Sequence, residues 1–146
     1  MNKNNVYILE DRGLLYVSGE HCKEFLQNII TNDITKVNLE NSIFSAILSP
    51  QGKYLFEFFV VYFDENYFLD CHSSSTKGLM DHLNKYNLGS KLEIKDLTSK
   101  YVVGILNKEK LSEIQDTKKN TFIYRESPIY IDPRENRLGA RILSPL

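Results

Sequence analysis

Phe25-Leu26-Gln27-Asn28-Ile29-Ile30-Thr31-Asn32-Asp33-Ile34 places apolar side chains at helical spacing and ends on a polar Thr-Asn-Asp step. Further along, Ser49-Pro50-Gln51-Gly52-Lys53 sets proline early and glycine late, as the common turn types prefer. It separates two apolar runs, Ile43–Leu48 and Tyr54–Phe63. An amphipathic helix followed by a hairpin is the expected order. The second run is apolar on both faces except at Glu57, which predicts a central strand covered on both sides.

On the N-terminal side, Val6–Leu9 and residues 14–17 are short β-rich runs joined by Glu10-Asp11-Arg12-Gly13, and they read as a hairpin. Ser18-Gly19-Glu20 offers an N-cap for the helix, whose buried stripe is Cys22, Phe25, Leu26, Ile29 and Ile30. Its polar face carries Glu20, Lys23, Glu24 and Gln27, so it packs on a core and lacks the basic face of a membrane-surface helix. Tyr67 to Cys71 reads as a strand. Ser73-Ser74-Ser75-Thr76 caps a second helix bearing Leu79, Met80, Leu83 and Tyr86, and Gly89 supplies a left-handed stop. Residues 91–96, Tyr101–Leu106, 122–124 and 129–131 read as strands, and 109–114 as a short helix. The class is α+β, mainly antiparallel sheet with two to three packed helices.

The chain has 146 residues, a formal charge of −1 and 2 cysteines. A domain of this size buries roughly 70% of its unfolded surface and folds without a disulfide or metal. The charge excludes the basic surplus of a nucleic-acid domain. No run reaches the length of a membrane span, and Met1-Asn2-Lys3-Asn4-Asn5 runs into Val6 without the apolar segment of a signal peptide. The cytoplasm is the expected compartment. Cys22 and Cys71 fall at apolar positions and read as buried thiols. A metal site from His21-Cys22 and Cys71-His72 fails because adjacent strand residues point to opposite faces, so no metal ligand is assigned.

Glu57 is the residue that composition explains least. A carboxylate inside an apolar run costs several kcal/mol to bury unless it is paired or protonated. Either the strand reaches an edge or cavity mouth there and Glu57 meets water, or it faces a pocket and accepts hydrogen bonds from a flat heterocycle. Thr31-Asn32-Asp33 are ordinary turn formers or pocket residues. Aromatics gather around the one hairpin, and Phe44 and Tyr54 are the two taken as lining a ligand pocket. Arg125 with Glu126, and Asp132 with Arg134, read as exposed ion pairs of little consequence. No side chain is marked as a nucleophile, so no catalytic residue is assigned.

Leu14-Leu15-Tyr16-Val17-Ser18-Gly19, Phe25-Leu26-Gln27 with Thr31-Asn32-Asp33, Ser49-Pro50-Gln51-Gly52-Lys53, Lys85-Tyr86 through Lys91-Leu92, and Asp132-Pro133-Arg134 with Leu138-Gly139-Ala140-Arg141 occur in an order that resembles the folate-binding YgfZ family. That family is related to the aminomethyltransferase T-protein of glycine cleavage. The resemblance implies a tetrahydrofolate-binding protein that supports assembly or repair of iron-sulfur clusters without turnover of its own. It implies Asn32, Phe44, Tyr54 and Glu57 as folate-contacting residues, and iron-sulfur assembly proteins or their clients as partners.

The T-protein relatives transfer a one-carbon unit using an Asp after the glycine turn. That region falls here on Phe56 and Glu57, so Glu57 either substitutes for the Asp or the transferase chemistry is gone. The Lys-Gly-Cys motif of the family's second half has no counterpart in this sequence. Residues 1–146 are therefore expected to be the N-terminal part of the fold, with an exposed apolar patch where a C-terminal half or a second polypeptide would dock, and with self-association through it.

Overall fold

The computed structural model describes residues 6–89, 91–115 and 118–146. The reading of residues 1–5 as a start without an apolar leader lies outside them. In chain order the elements are β1 (Val6–Leu9), β2 (Arg12–Ser18), α1 (Cys22–Ile29), β3 (Ile43–Leu48), β4 (Tyr54–Phe63), β5 (Asn66–His72), α2 (Thr76–Tyr86), β6 (Glu93–Asp96), β7 (Tyr101–Leu106), α3 (Lys108–Ile114), β8 (Thr121–Tyr124), β9 (Ser127–Ile131) and β10 (Ala140–Pro145). They form two antiparallel five-stranded sheets, ordered β3-β4-β5-β2-β6 and β1-β7-β10-β9-β8. The α+β class holds.

Strand alternation explains the layering. On β4, Phe58 and Val60 pack with Phe25 and Leu26 of α1 and Leu79 and Leu83 of α2, while Phe59 and Val61 point the other way and pack with Tyr130 and Leu143 of the second sheet. Leu111 and Ile114 of α3 join Leu106, Phe122 and Ile129 on that sheet's far face. Helices, sheet, sheet and helix follow one another.

Three local expectations need correction. β1 and β2 are not a hairpin: β1 pairs with β7 in one sheet and β2 with β5 and β6 in the other. Gly13 serves packing instead of a turn, since a Cβ there would lie 2.1 Å from Thr76 Cγ2 and 3.3 Å from Ser73 Cα. The caps also differ. His21, with no side-chain cap bond, precedes α1, and the imidazole of His72 accepts from Ser74 N at the entrance to α2, so the serines form a 3-10 turn of their own. β10 is a full strand that the sequence pattern did not show.

The β3–β4 hairpin forms as read, but β4 is covered over only part of its length. Its pairing with β5 begins at Phe59 opposite Asp70, whereas its pairing with β3 extends back to Tyr54. The half from Tyr54 to Glu57 outruns β5 and is largely exposed. β3 is an edge strand, and Thr31 shields that edge: its N–H donates to Ala46 O at 2.9 Å and its hydroxyl accepts from Ala46 N at 3.0 Å.

Candidate functional site

The β3–β4 hairpin brings three of the four expected folate residues together. Its register shifts between Ile47 and Leu48, so Leu55 is an extra residue and the bulge turns Tyr54 toward Glu57. The Tyr54 hydroxyl donates to Glu57 Oε2 at 2.5 Å. Desolvation of its ring, then that hydrogen bond and the Glu57 charge, push the Tyr54 phenol up to about 12. Phe44 lies opposite Phe59, two positions along β4 from Glu57, with the rings 5.1 Å apart. Glu57 is exposed where β4 outruns β5.

Asn32 is placed differently. Its backbone N–H donates to Ser45 Oγ at 3.1 Å, its Nδ2 to Phe44 O at 2.9 Å, and its Oδ1 accepts from Asp33 N at 2.7 Å. The side chain fastens the end of α1 to the outer edge of β3. Asp33 in turn accepts from Thr35 N and Gln27 Nε2, which builds the 3-10 turn at Ile34–Lys36. These are turn-forming roles.

The densest polar chemistry lies beside the hairpin, between the sheets, and centres on Asp70. Asp70 is fully buried, facing Phe59 on β4 and Leu14 on β2. Its Oδ1 accepts from Arg12 Nε at 2.8 Å; its Oδ2 accepts from the Tyr130 hydroxyl at 2.5 Å and from Arg141 Nε at 3.1 Å. Tyr130 and Arg141 are direct cross-strand neighbours on β9 and β10, so one carboxylate ties the two sheets together. Burial, and then the Asp70 charge, hold the Tyr130 phenol well above its ordinary value. Burial alone would lower Arg141, but Tyr130 and Asp70 outweigh it and its pKa is raised.

Guanidinium groups surround the Phe59 ring. Those of Arg141, Arg134 and Arg12 lie 4.6, 4.8 and 6.0 Å from its centre, and Arg134 also lies 5.1 Å from Phe44. Arg141 Nη2 is buried without a hydrogen-bond partner among the described residues, leaving the ring face as its contact. Arg134 is fixed by Asp132, whose oxygens accept from its Nε at 3.0 Å and Nη2 at 2.7 Å. The expectation of an exposed, inconsequential pair is corrected for its acid alone, because Asp132 is buried while Arg134 is exposed. Arg125 and Glu126 instead occupy the β8–β9 turn with positive φ, and Arg125 stacks on Tyr124.

The signal that finds Asp70 is the one applied to Glu57: a lone carboxylate in an apolar strand, here Tyr67-Phe68-Leu69-Asp70-Cys71. Both cysteines are buried, with thiols pushed up to about 12 chiefly by that burial. That is the inert environment expected of them.

Asp132 carries a pH prediction. Burial raises its pKa, but the hydrogen bonds and charge of Arg134 outweigh this and hold it below 3.8. The folded value lies under the unfolded one, so the stability from this pair is complete above about pH 4 and is lost as pH falls through the folded pKa. Asp132→Asn is expected to cost about 2 kcal/mol at neutral pH. In urea titrations its difference from wild type should shrink below about pH 4. A difference that stays constant into strong acid would contradict the assignment.

The match to known proteins follows the same elements. Residues 8–107 match the GCVT N-terminal domain family model. The chain belongs to that family. Family membership accounts for the architecture: the crystal structure of the glycine cleavage system aminomethyltransferase T from Bartonella henselae superposes with a TM-score of 0.78, at 16% identity, over 96% of this chain and 41% of that one. The mitochondrial iron-sulfur cluster assembly factor IBA57 homologue of Dictyostelium discoideum is 25% identical, over 98% of this chain and 42% of its own length. The corresponding homologue of Pyricularia oryzae is 27% identical over 94% and 35%. The tRNA-modifying protein YgfZ of Buchnera aphidicola is 28% identical over 70% and 35%. The chain thus spans less than half the length of each.

Proposed function

We propose that this chain is a tetrahydrofolate-binding, YgfZ-like module that supports assembly or repair of iron-sulfur clusters and performs no turnover of its own. The family and the names of the sequence relatives support the iron-sulfur role. The folate role rests on one observation: Glu57 is exposed on the same hairpin face as Phe44, with the Tyr54 hydroxyl already bonded to it. A pterin presents adjacent ring N–H and amino donors that one carboxylate can accept as a pair, and the ring would lie against Phe44.

The face is open, since β4 outruns β5 there and Leu48, Tyr54 and Leu55 are exposed beside it. We place the missing wall on a further part of a longer chain or on a second polypeptide, with iron-sulfur assembly proteins or clients as the wider partners.

Isothermal titration of tetrahydrofolate into the 146-residue chain tests this. Saturable micromolar binding, weakened about ten- to a hundredfold by Glu57→Gln with the fold intact, is the expected result for a lost charge-assisted pair. A folded sample that takes up no folate would overturn an autonomous site.

A further inference from the structure

A cavity of about 580 Å³ lies on the other side of the β4–β5 sheet from Glu57, away from the proposed folate face. That is within the range of small-molecule sites. Its floor is Tyr62 and Tyr67, from the adjoining ends of β4 and β5, in edge contact at 5.4 Å. The start of α1 contributes Glu20 and Lys23, the connection before β3 contributes Leu39, and the β4–β5 turn contributes Glu65.

Two independent features point to an occupant. Tyr67 is only 5% exposed, yet among the described residues its hydroxyl has no hydrogen-bond partner; it lines the cavity and is not among the atoms sealed from solvent. A phenol so buried usually finds a partner. The charges are the second feature. Glu20 and Glu65 are exposed at the rim against Lys23, while Glu40, also in the lining, faces Lys119 at 3.3 Å, so the mouth carries net negative charge. Leu39, 54% exposed, adds an apolar surface beside them.

Together these are the requirements of a cation on an apolar stem. An ammonium group has three donors and no acceptor, and it is drawn to the faces and hydroxyls of tyrosines and to carboxylates. We propose that this cavity is a binding site for a primary ammonium group on a short alkyl chain, with the Tyr67 hydroxyl, Glu20 and Glu65 as acceptors, Tyr62 as the aromatic wall and Leu39 against the methylenes. The site is independent of the folate reading, and either can fail alone.

The test is an amide-resolved NMR titration of the folded chain with 1,5-diaminopentane, with 1,5-pentanediol as the uncharged probe of equal length. Saturable shifts centred on Gly19, Glu65 and Tyr67, given by the diamine and not by the diol, are expected. Glu20→Gln with Glu65→Gln should weaken the diamine about three- to tenfold, the range of an exposed cation contact. Asp81→Asn, a remote exposed acid on α2, should leave it unchanged. A second arm with Nα-acetyl-lysine methylamide separates the sources: tighter binding than the diamine identifies a lysine side chain of a protein, weaker binding a free amine. Shifts that fail to saturate, that scatter over other acidic surfaces, or that the diol reproduces would overturn the site.

Discussion

Asp70→Ala is expected to lower the unfolding free energy by about 3–5 kcal/mol, the range for removing one partner of a buried ion pair. The cost arises from what stays behind. Arg141 and Tyr130 are buried between the sheets, and neither has room to turn to water. Arg12 is 18% exposed through its side chain and can recover part of its solvation, so Arg12→Ala should cost less. Replacing the pair as a unit should also cost less than breaking it. Asp70→Leu combined with Arg141→Met removes both fully buried charges and restores apolar volume, leaving the part-exposed Arg12 guanidinium to turn toward water and the Tyr130 hydroxyl without its acceptor, and its penalty should fall below that of Asp70→Ala. Urea titrations of these variants decide the matter. A loss under about 1 kcal/mol for Asp70→Ala, or a double variant worse than the single, would mean that the carboxylate does not hold the sheets together.

The same cluster shows why the site was only partly legible in the sequence. Glu57 and Asp70 present one pattern, an acid in an apolar strand, and sequence alone does not separate them. What separates them is sheet order: at Glu57 the neighbouring strand has ended, whereas Asp70 sits on β5 between β4 and β2 and beneath β9 and β10. Arg141 reaches it from 71 residues away, a pairing that no local spacing encodes. Asp132 and Arg134 look like a surface pair because Glu135, Asn136 and Arg137 follow them; in the fold Asp132 is buried, and the exposed Arg134 bonded to it lies over Phe44 and Phe59 of the other sheet.

The fold was legible where periodicity is local. α1, the β3–β4 hairpin, α2 and β7 follow from alternation and helical spacing. β1 and β2 were joined into a hairpin because short apolar runs flanking a polar turn normally pair; here the chain crosses from one sheet to the other at Glu10-Asp11. β10 was missed because Ala140 and Arg141 break the apolar pattern. Arg141 is an inward position, filled by a charge that only Asp70 makes tolerable.

Gly139→Ala is the second large effect, and it acts through that strand. Gly139 adopts φ +87° and ψ −157°, a region that only glycine occupies without strain of about 1–3 kcal/mol. A Cβ there would also lie 2.8 Å from Leu106 O, a backbone atom of β7 that cannot rotate away. Gly139 immediately precedes β10, and its own carbonyl accepts from Asp132 N at 3.0 Å. Relief of the contact must therefore move the start of β10 away from β7, carrying Arg141 off Asp70 and disturbing the turn that fixes Arg134. Gly52→Ala is the comparison, since it has φ +83° but open space around the added methyl, and it should cost only the left-handed penalty of about 1–2 kcal/mol. Gly139→Ala should exceed it by at least about 1 kcal/mol, because overpacking adds to strain. It should also perturb the Tyr130 ring resonances by NMR, which Gly52→Ala should not. Equal costs for the two variants, with Tyr130 unmoved in both, would show that β10 tolerates displacement and that its seating does not set the geometry of the charged cluster.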